Sequence, residues 1–194
     1  MNNLNLSFGI MAMGANLPSE CGDAKDNLLA SLTILHTEPD ISIRAVSRFW
    51  RSPAFPAGSG PDYVNAVALF ETTLDARQIL AVLHRLEARL GRDRSLGRWS
   101  ARIVDLDLIA LDRTILPDES TLRHWIGLPL KTQMREAPDT LILPHPRMQD
   151  RGFVLAPLAE IAPDWRHPLT GHSTVQMLAA LPADALAGMA PIRG

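Results

Sequence analysis

The chain has little that would tie it to export, to nucleic acid or to a membrane. Its single cysteine, Cys21, excludes an internal disulfide and suits a reducing compartment, so a cytoplasmic setting is expected. A net charge of −2 over 194 residues gives no overall positive field for long nucleic acid, and aromatic residues make up only 5%. Any anion site must therefore be a local cluster. The apolar run at residues 4–13 lacks a basic leader, carries Asn5 and Ser7, and is too short to cross a bilayer. It reads as a buried first strand. No repeat or low-complexity tract divides the sequence, and 46% hydrophobic residues can fill one substantial core, so residues 1–194 are expected to form one domain.

What is present is a run of alternating periods. Gly14-Ala15-Asn16 closes the first strand, and Leu28, Leu29, Leu32 and Leu35 recur at helical spacing. Ile41, Ile43 and Ala45 alternate into a second strand reaching Arg51, after which Pro53, Pro56, Gly58, Gly60 and Pro61 impose a loop. Residues 63–71 alternate again as a third strand. Asp75 is placed to cap a helix with the stripe Ile79, Leu80, Leu83, Leu86 and Leu90, which Gly91 ends. Residues 103–111 make a fourth strand. This βαββαβ order predicts an α+β, ferredoxin-like sandwich, with helices packed on one face of an antiparallel sheet. Residues 113–140, with three prolines and mixed charge, read as an insertion after the fourth strand holding a short helix near 122–126. Further helices are expected at 151–161 and 174–181.

The chemistry centres on Asp105-Leu106-Asp107. Side chains two apart on a strand share a face, with Cα atoms about 6.5–7 Å apart, so both carboxylates can converge on hard cations such as Mg²⁺. Taken alone, such a pair more often lies on a solvated strand or pairs with arginines. Here Arg92, Arg94, Arg98 and Arg102, with Trp99 among them, immediately precede the strand, and guanidiniums beside metal-binding acids suit a polyphosphate. Gly91 and Gly97 suit a loop that closes over a nucleotide. Tyr63 and Asn65 share one strand face, where a ring can stack and a carboxamide can read the edge of a flat heterocycle. Pro144-His145-Pro146-Arg147 and Arg151-Gly152-Phe153 add a turn, an imidazole, more cations and another ring. Trp50, Trp125 and Trp165 read as packing residues.

Taken in order, Gly14-Ala15-Asn16-Leu17, Ser52-Pro53, Tyr63-Val64-Asn65, Glu87 with Gly91-Arg92, the block from Arg98 to Asp107, and the segments from Pro144 to Arg147 and from Arg151 to Leu158 resemble the 6-hydroxymethyl-7,8-dihydropterin pyrophosphokinases. The resemblance implies transfer of pyrophosphate from ATP to the hydroxymethyl group of 6-hydroxymethyl-7,8-dihydropterin in folate biosynthesis. It implies that Asp105 and Asp107 hold a pair of Mg²⁺ ions, with Asp107 also near the attacking hydroxyl, and that Arg92 and Arg102 bind phosphates and stabilise transferring charge. Arg94 and Trp99 would lie in a mobile closing loop. Glu87, His145 and Arg151 would contact ATP, while Tyr63, Phe153, Asn65, Ser52, Pro53 and Phe55 would hold the pterin. His84 stands where the family often has Gln, Ser100 where it has Gly, and Ala15 where Ser is common. The connection at 113–140 is roughly twenty residues longer than usual. Small-molecule substrates and a monomer are expected, with neither nucleic acid nor membrane as partner.

Two rivals share parts of the pattern. RNA-recognition domains use the same element order, but need aromatic strands that are missing here. A two-metal phosphohydrolase would use the same acids and arginines without needing a pterin.

Overall fold

Six strands join in one antiparallel sheet in the computed structural model, which describes residues 6–54, 60–92 and 102–193. In chain order the elements are β1 (Ser7–Ala15), α1 (Ala24–His36), β2 (Ile41–Val46), β3 (Trp50–Ser52), β4 (Tyr63–Thr72), α2 (Ala76–Arg89) and β5 (Asp105–Leu111). There follow α3 (Glu119–Gly127), α4 (Leu130–Arg135), a 3-10 turn (Met148–Asp150), α5 (Gly152–Ile161), α6 (Thr174–Ala179) and β6 (Ala190–Pro191). The sheet runs β5-β1-β4-β3-β6, with β2 also paired to β4.

Alternation along the strands divides the core in two. Met11, Met13, Ala15, Ala68, Phe70, Leu106 and Leu108 point toward α1 and α2, which present Leu28, Leu35, Ile79, Leu83 and Leu86. Ile10, Val67, Leu69 and Ile109 point the other way and are covered by Val154, Leu155 and Leu158 of α5 and Met177 of α6. Helices therefore cover both faces, not one as the element order suggests. The reason is that the intervening residues of β1, β4 and β5 are apolar too, and an apolar face must be buried.

Local chemistry fixes the helix ends. Asp75 accepts from the N–H groups of Arg77 and Gln78, while Gln78 reciprocates on the Asp75 N–H, a capping box. Asp23 and Asp26 do the same for α1. At the other end of α2, Gly91 adopts φ +88°, the Gly91 N–H donates to Ala88 and the Arg92 N–H donates to Glu87. This Schellman arrangement sets the direction in which the chain leaves α2, and so where Arg92 begins.

Other differences from the sequence pattern are instructive. The expected second strand is two strands along β4, interrupted at Ser47, whose Oγ accepts the Val67 N–H in place of a ladder bond. The helix expected at 174–181 ends at Ala179. Strand β6 has only two residues, one of them proline, and gives no alternation to read. Within 113–140 the short helix is present as α3, anchored by fully buried Leu122, and Leu116 exchanges backbone hydrogen bonds with Leu143. No helix among the described residues is long and apolar enough to cross a membrane.

Candidate active site

The sheet aligns a row of residues across three strand pairings: Asp105 lies opposite Gly14, Gly14 opposite Asn65, and Asn65 opposite Trp50. The neighbouring row sets Asp107 opposite Ala12 and Ala12 opposite Val67. Both acids thus face the α5 side, as the two-residue spacing requires. Gly14 keeps the row open, because a Cβ there would stand 3.3 Å from Asn65 Oδ1. Tyr63, two residues before Asn65, shares the face.

The acids are enclosed by cations. Arg92 Nη1 lies 2.7 Å from Asp105 Oδ1, and Arg102 pairs with Asp105 Oδ2. Arg151 of the α5 entry stands 3.6 Å from Asp107 and 5.4 Å from the Phe153 ring centroid, over its face. Burial, and then the adjacent Asp107 charge, push the Asp105 carboxyl up, while Arg102 and Arg92 pull it down without prevailing. Asp105, which remains costly to ionise despite its arginines, forms with the carboxylate of Asp107 beside it a donor set suited to further positive charge. Among the described residues no cluster of three or more His, Cys, Asp or Glu side chains could hold a metal. One or two carboxylates completed by water and phosphate oxygens is nevertheless the usual provision for Mg²⁺, so the pair fits.

Glu87 occupies a different place from the one expected of a nucleotide contact. Its side chain is only 1% exposed, and its Oε1 accepts the Leu106 N–H at 2.8 Å and pairs with Arg92. It therefore ties α2 to β5 and holds Arg92 from behind. No local pattern signals this, since burial of Glu87 depends on where β5 docks.

His145 is joined to β5 by its N–H, which donates to the Ile109 carbonyl at 2.8 Å, next to the shift in register between β1 and β5. Burial first, then Arg151 and Arg147, hold its pKa well below 6.5. The ring is neutral at physiological pH, and because Nδ1 accepts the Arg147 N–H, the proton is assigned to Nε2 as a donor. Burial likewise raises Tyr63, keeping a neutral phenol; the charges of Arg102, Asp105 and Arg92 that act on it mark its nearness to the cluster. Asn65 Nδ2 donates to Ser52 Oγ at 2.8 Å, which fixes the amide and leaves Oδ1 as an acceptor. Pro53 follows at the exposed end of β3. Trp50 is more than packing, because its indole N–H donates to Glu160. Phe55, Arg94, Arg98, Trp99 and Ser100 lie outside the described residues.

One residue of the site went unassigned in the sequence. Asn16, 5% exposed, accepts the Arg102 N–H at 2.7 Å and donates from Nδ2 to the Pro61 carbonyl. It thus pins Arg102 to the loop entering Tyr63. The turn signal Gly14-Ala15-Asn16 and the resembling segment Gly14-Ala15-Asn16-Leu17 both contain it, but neither gives it a role. An open cavity of about 490 Å³ between the 3-10 turn and α6, lined by Gln149, Asp150, His172 and Gln176 among others, contains none of these residues.

Comparison with known proteins identifies the family and the fold. A sequence model of the 7,8-dihydro-6-hydroxymethylpterin-pyrophosphokinase (HPPK) family matches residues 10–163. The 2-amino-4-hydroxy-6-hydroxymethyldihydropteridine pyrophosphokinase of Synechocystis is 33% identical over 183 residues, covering 94% of this chain and 80% of the relative. That of Pseudomonas aeruginosa is 32% identical over 176 residues, covering 91% and 93%. The crystal structure of wild-type Plasmodium falciparum HPPK-DHPS with pteroate shares the fold at TM-score 0.63 and 11% identity, over 90% of this chain and 42% of that one. An acid pair, its arginines and a matching family model over most of the length lead to one conclusion: the chain belongs to the HPPK family.

Proposed function

We propose that Asp105 and Asp107 are the metal-binding and catalytic acids of a transfer of pyrophosphate from ATP to the hydroxymethyl group of 6-hydroxymethyl-7,8-dihydropterin. The transfer, which yields AMP and the pterin diphosphate in folate biosynthesis, is the reaction of the family. The observation that carries the assignment is that both acids share the α5-facing side of β5 with Arg92, Arg102 and Arg151 against them. The strand order, with β1 and β4 central, supports reading the fold as a ferredoxin-like sandwich to which α5, α6 and β6 are added.

A triphosphate is strongly anionic, and attack by a neutral hydroxyl is opposed by that charge. Mg²⁺ ions held by Asp105 and Asp107 would offset it. Arg92 and Arg102, paired with Asp105, carry guanidinium N–H edges that can fork onto phosphate oxygens as ligand enters. Glu87 and Asn16 hold those arginines in register by side chain and backbone respectively. Neutral His145 offers its Nε2–H as a donor to the nucleotide, and Arg151 adds a cation beside Asp107. Tyr63 and Phe153 supply rings for the pterin, with Asn65 Oδ1 accepting from its edge. Rate then comes from alignment and preset electrostatics, and no side chain need become covalently attached.

The test is AMP formation from ATP that requires both Mg²⁺ and 6-hydroxymethyl-7,8-dihydropterin. Asp107→Ala should abolish it while the melting temperature stays near that of the unaltered chain. Near-normal turnover by that variant would refute the assignment of the acids. Phosphate release from ATP without the pterin would point instead to a hydrolase.

A further inference from the structure

The C-terminal segment beyond α6 lies past the family-matched residues, yet it touches both walls of the proposed pterin seat. On one side it lies against the start of α5. A Cβ on Gly152, the residue between Arg151 and Phe153, would stand 2.6 Å from the Ala185 carbonyl oxygen, 2.8 Å from Leu186 Cδ2 and 3.3 Å from Met189 Sδ. On the other side it reaches the end of β3. Gly188, at φ +74°, comes so near Pro53 that a Cβ would stand 2.8 Å from its Cγ. Beyond Gly188 the segment pairs as β6 with β3, Ala190 opposite Arg51 and Pro191 opposite Trp50, and the Ile192 N–H donates to the Phe49 carbonyl at 2.7 Å.

Strand β3 has three residues, and so short a strand paired along one edge holds its own position weakly. Its second edge is closed by β6. Glycine at both contact points lets backbone approach where any side chain would push the walls apart. We propose that residues 185–192 are a brace that fixes the separation of Ser52-Pro53 from Gly152-Phe153, and so sets affinity for the pterin acceptor. The brace rests on the pterin-seat reading above and acts by positioning, since none of its residues need touch the substrate.

Gly188→Val in the full chain puts a branched side chain at a left-handed φ and against Pro53. The Michaelis constant for the pterin should rise about tenfold, while kcat, the Michaelis constant for ATP and the melting temperature stay within about twofold or a few degrees of the unaltered values. Met189→Ala, which loosens the contact at Gly152, should move the same constant roughly threefold and decides the matter if Gly188→Val does not fold. A pterin constant unchanged in Met189→Ala and in any folded Gly188→Val, or an ATP constant rising in step with it, would overturn the brace. Fluorescence titration of the pterin, without ATP, separates the brace from the reaction. An unaltered chain that binds pterin but forms no AMP fails the proposed reaction alone. One that binds no pterin fails the seat and the brace together.

Discussion

Two carboxylates on the same side of the sheet meet opposite electrostatic fates. Asp105, at one end of the row through Gly14 and Asn65, has Arg92 and Arg102 as partners yet is pushed up by burial and by Asp107. Glu160 of α5 faces Trp50 at the other end of that row. Burial would raise it as well, but side-chain and backbone hydrogen bonds from Arg48, with the Trp50 indole, bring it below its ordinary value. The difference is the neighbour: a second acid stands beside Asp105, whereas Glu160 collects donors from backbone, guanidinium and indole. Glu160 is satisfied by its own protein, and clamps α5 onto the segment between β2 and β3. Asp105 is left wanting positive charge, the condition expected where a ligand completes the site.

The sharpest way to break this contrast is to neutralise each acid in turn. Asp105→Asn should lower turnover on the order of 10³-fold, the scale of losing a principal electrostatic element, without lowering the melting temperature. Glu160→Gln should leave turnover near normal and reduce stability by about 1 kcal/mol, a modest figure because Arg48 reaches into solvent. Thermal melts and steady-state rates on the two proteins settle it. If Asp105→Asn melts lower than Glu160→Gln, Asp105 is a structural acid and the contrast is lost.

A smaller effect separates the proposed phosphate end of the site from the proposed pterin end. If its guanidinium acts on charge that develops during transfer, as proposed, Arg102→Ala should reduce kcat about 10²-fold with little change in the Michaelis constant for the pterin. Unchanged turnover would remove Arg102 from the mechanism. A rise confined to the pterin constant would assign it instead to the acceptor pocket, through its closeness to Tyr63.

The residues readable from the sequence were those whose role is fixed within a few positions. Asp105 and Asp107 share a face because strand geometry leaves no choice, Asp75 caps α2 because an acid there finds free N–H groups, and Gly91 stops the helix because it can take a positive φ. The illegible features depend on pairs far apart in the chain. Burial of Glu87 needs the Leu106 N–H, the role of Asn16 needs Arg102 and Pro61, and the clamp joins Arg48 to Glu160 across 112 positions. Periodicity likewise read β4 as an alternating strand, whereas both of its faces are buried in apolar clusters and α5 covers the second. The pairing of β6 with β3 was out of reach because two residues carry no period.

The smallest effect, in acid, isolates the satisfied acid. A carboxylate whose folded pKa lies below its ordinary 4.5 stabilises fully above that value, and the contribution disappears as pH falls through the folded pKa. Glu160 should therefore make the unaltered chain lose stability faster below pH 4.5 than Glu160→Gln does. His167 imposes its own acid slope on both proteins. Burial, with a smaller push from His172, lowers it from 6.5 to about 4, so its stabilisation is complete above 6.5 and falls away down to about 4. Because that slope is common to both, it cancels in the difference between the two melting curves. The gap should be constant at neutral pH and should narrow toward zero as the pH is taken well below 4.5. A gap that stays constant to the acid limit would mean that Gln removes a packing contact there, with the charge of Glu160 contributing nothing.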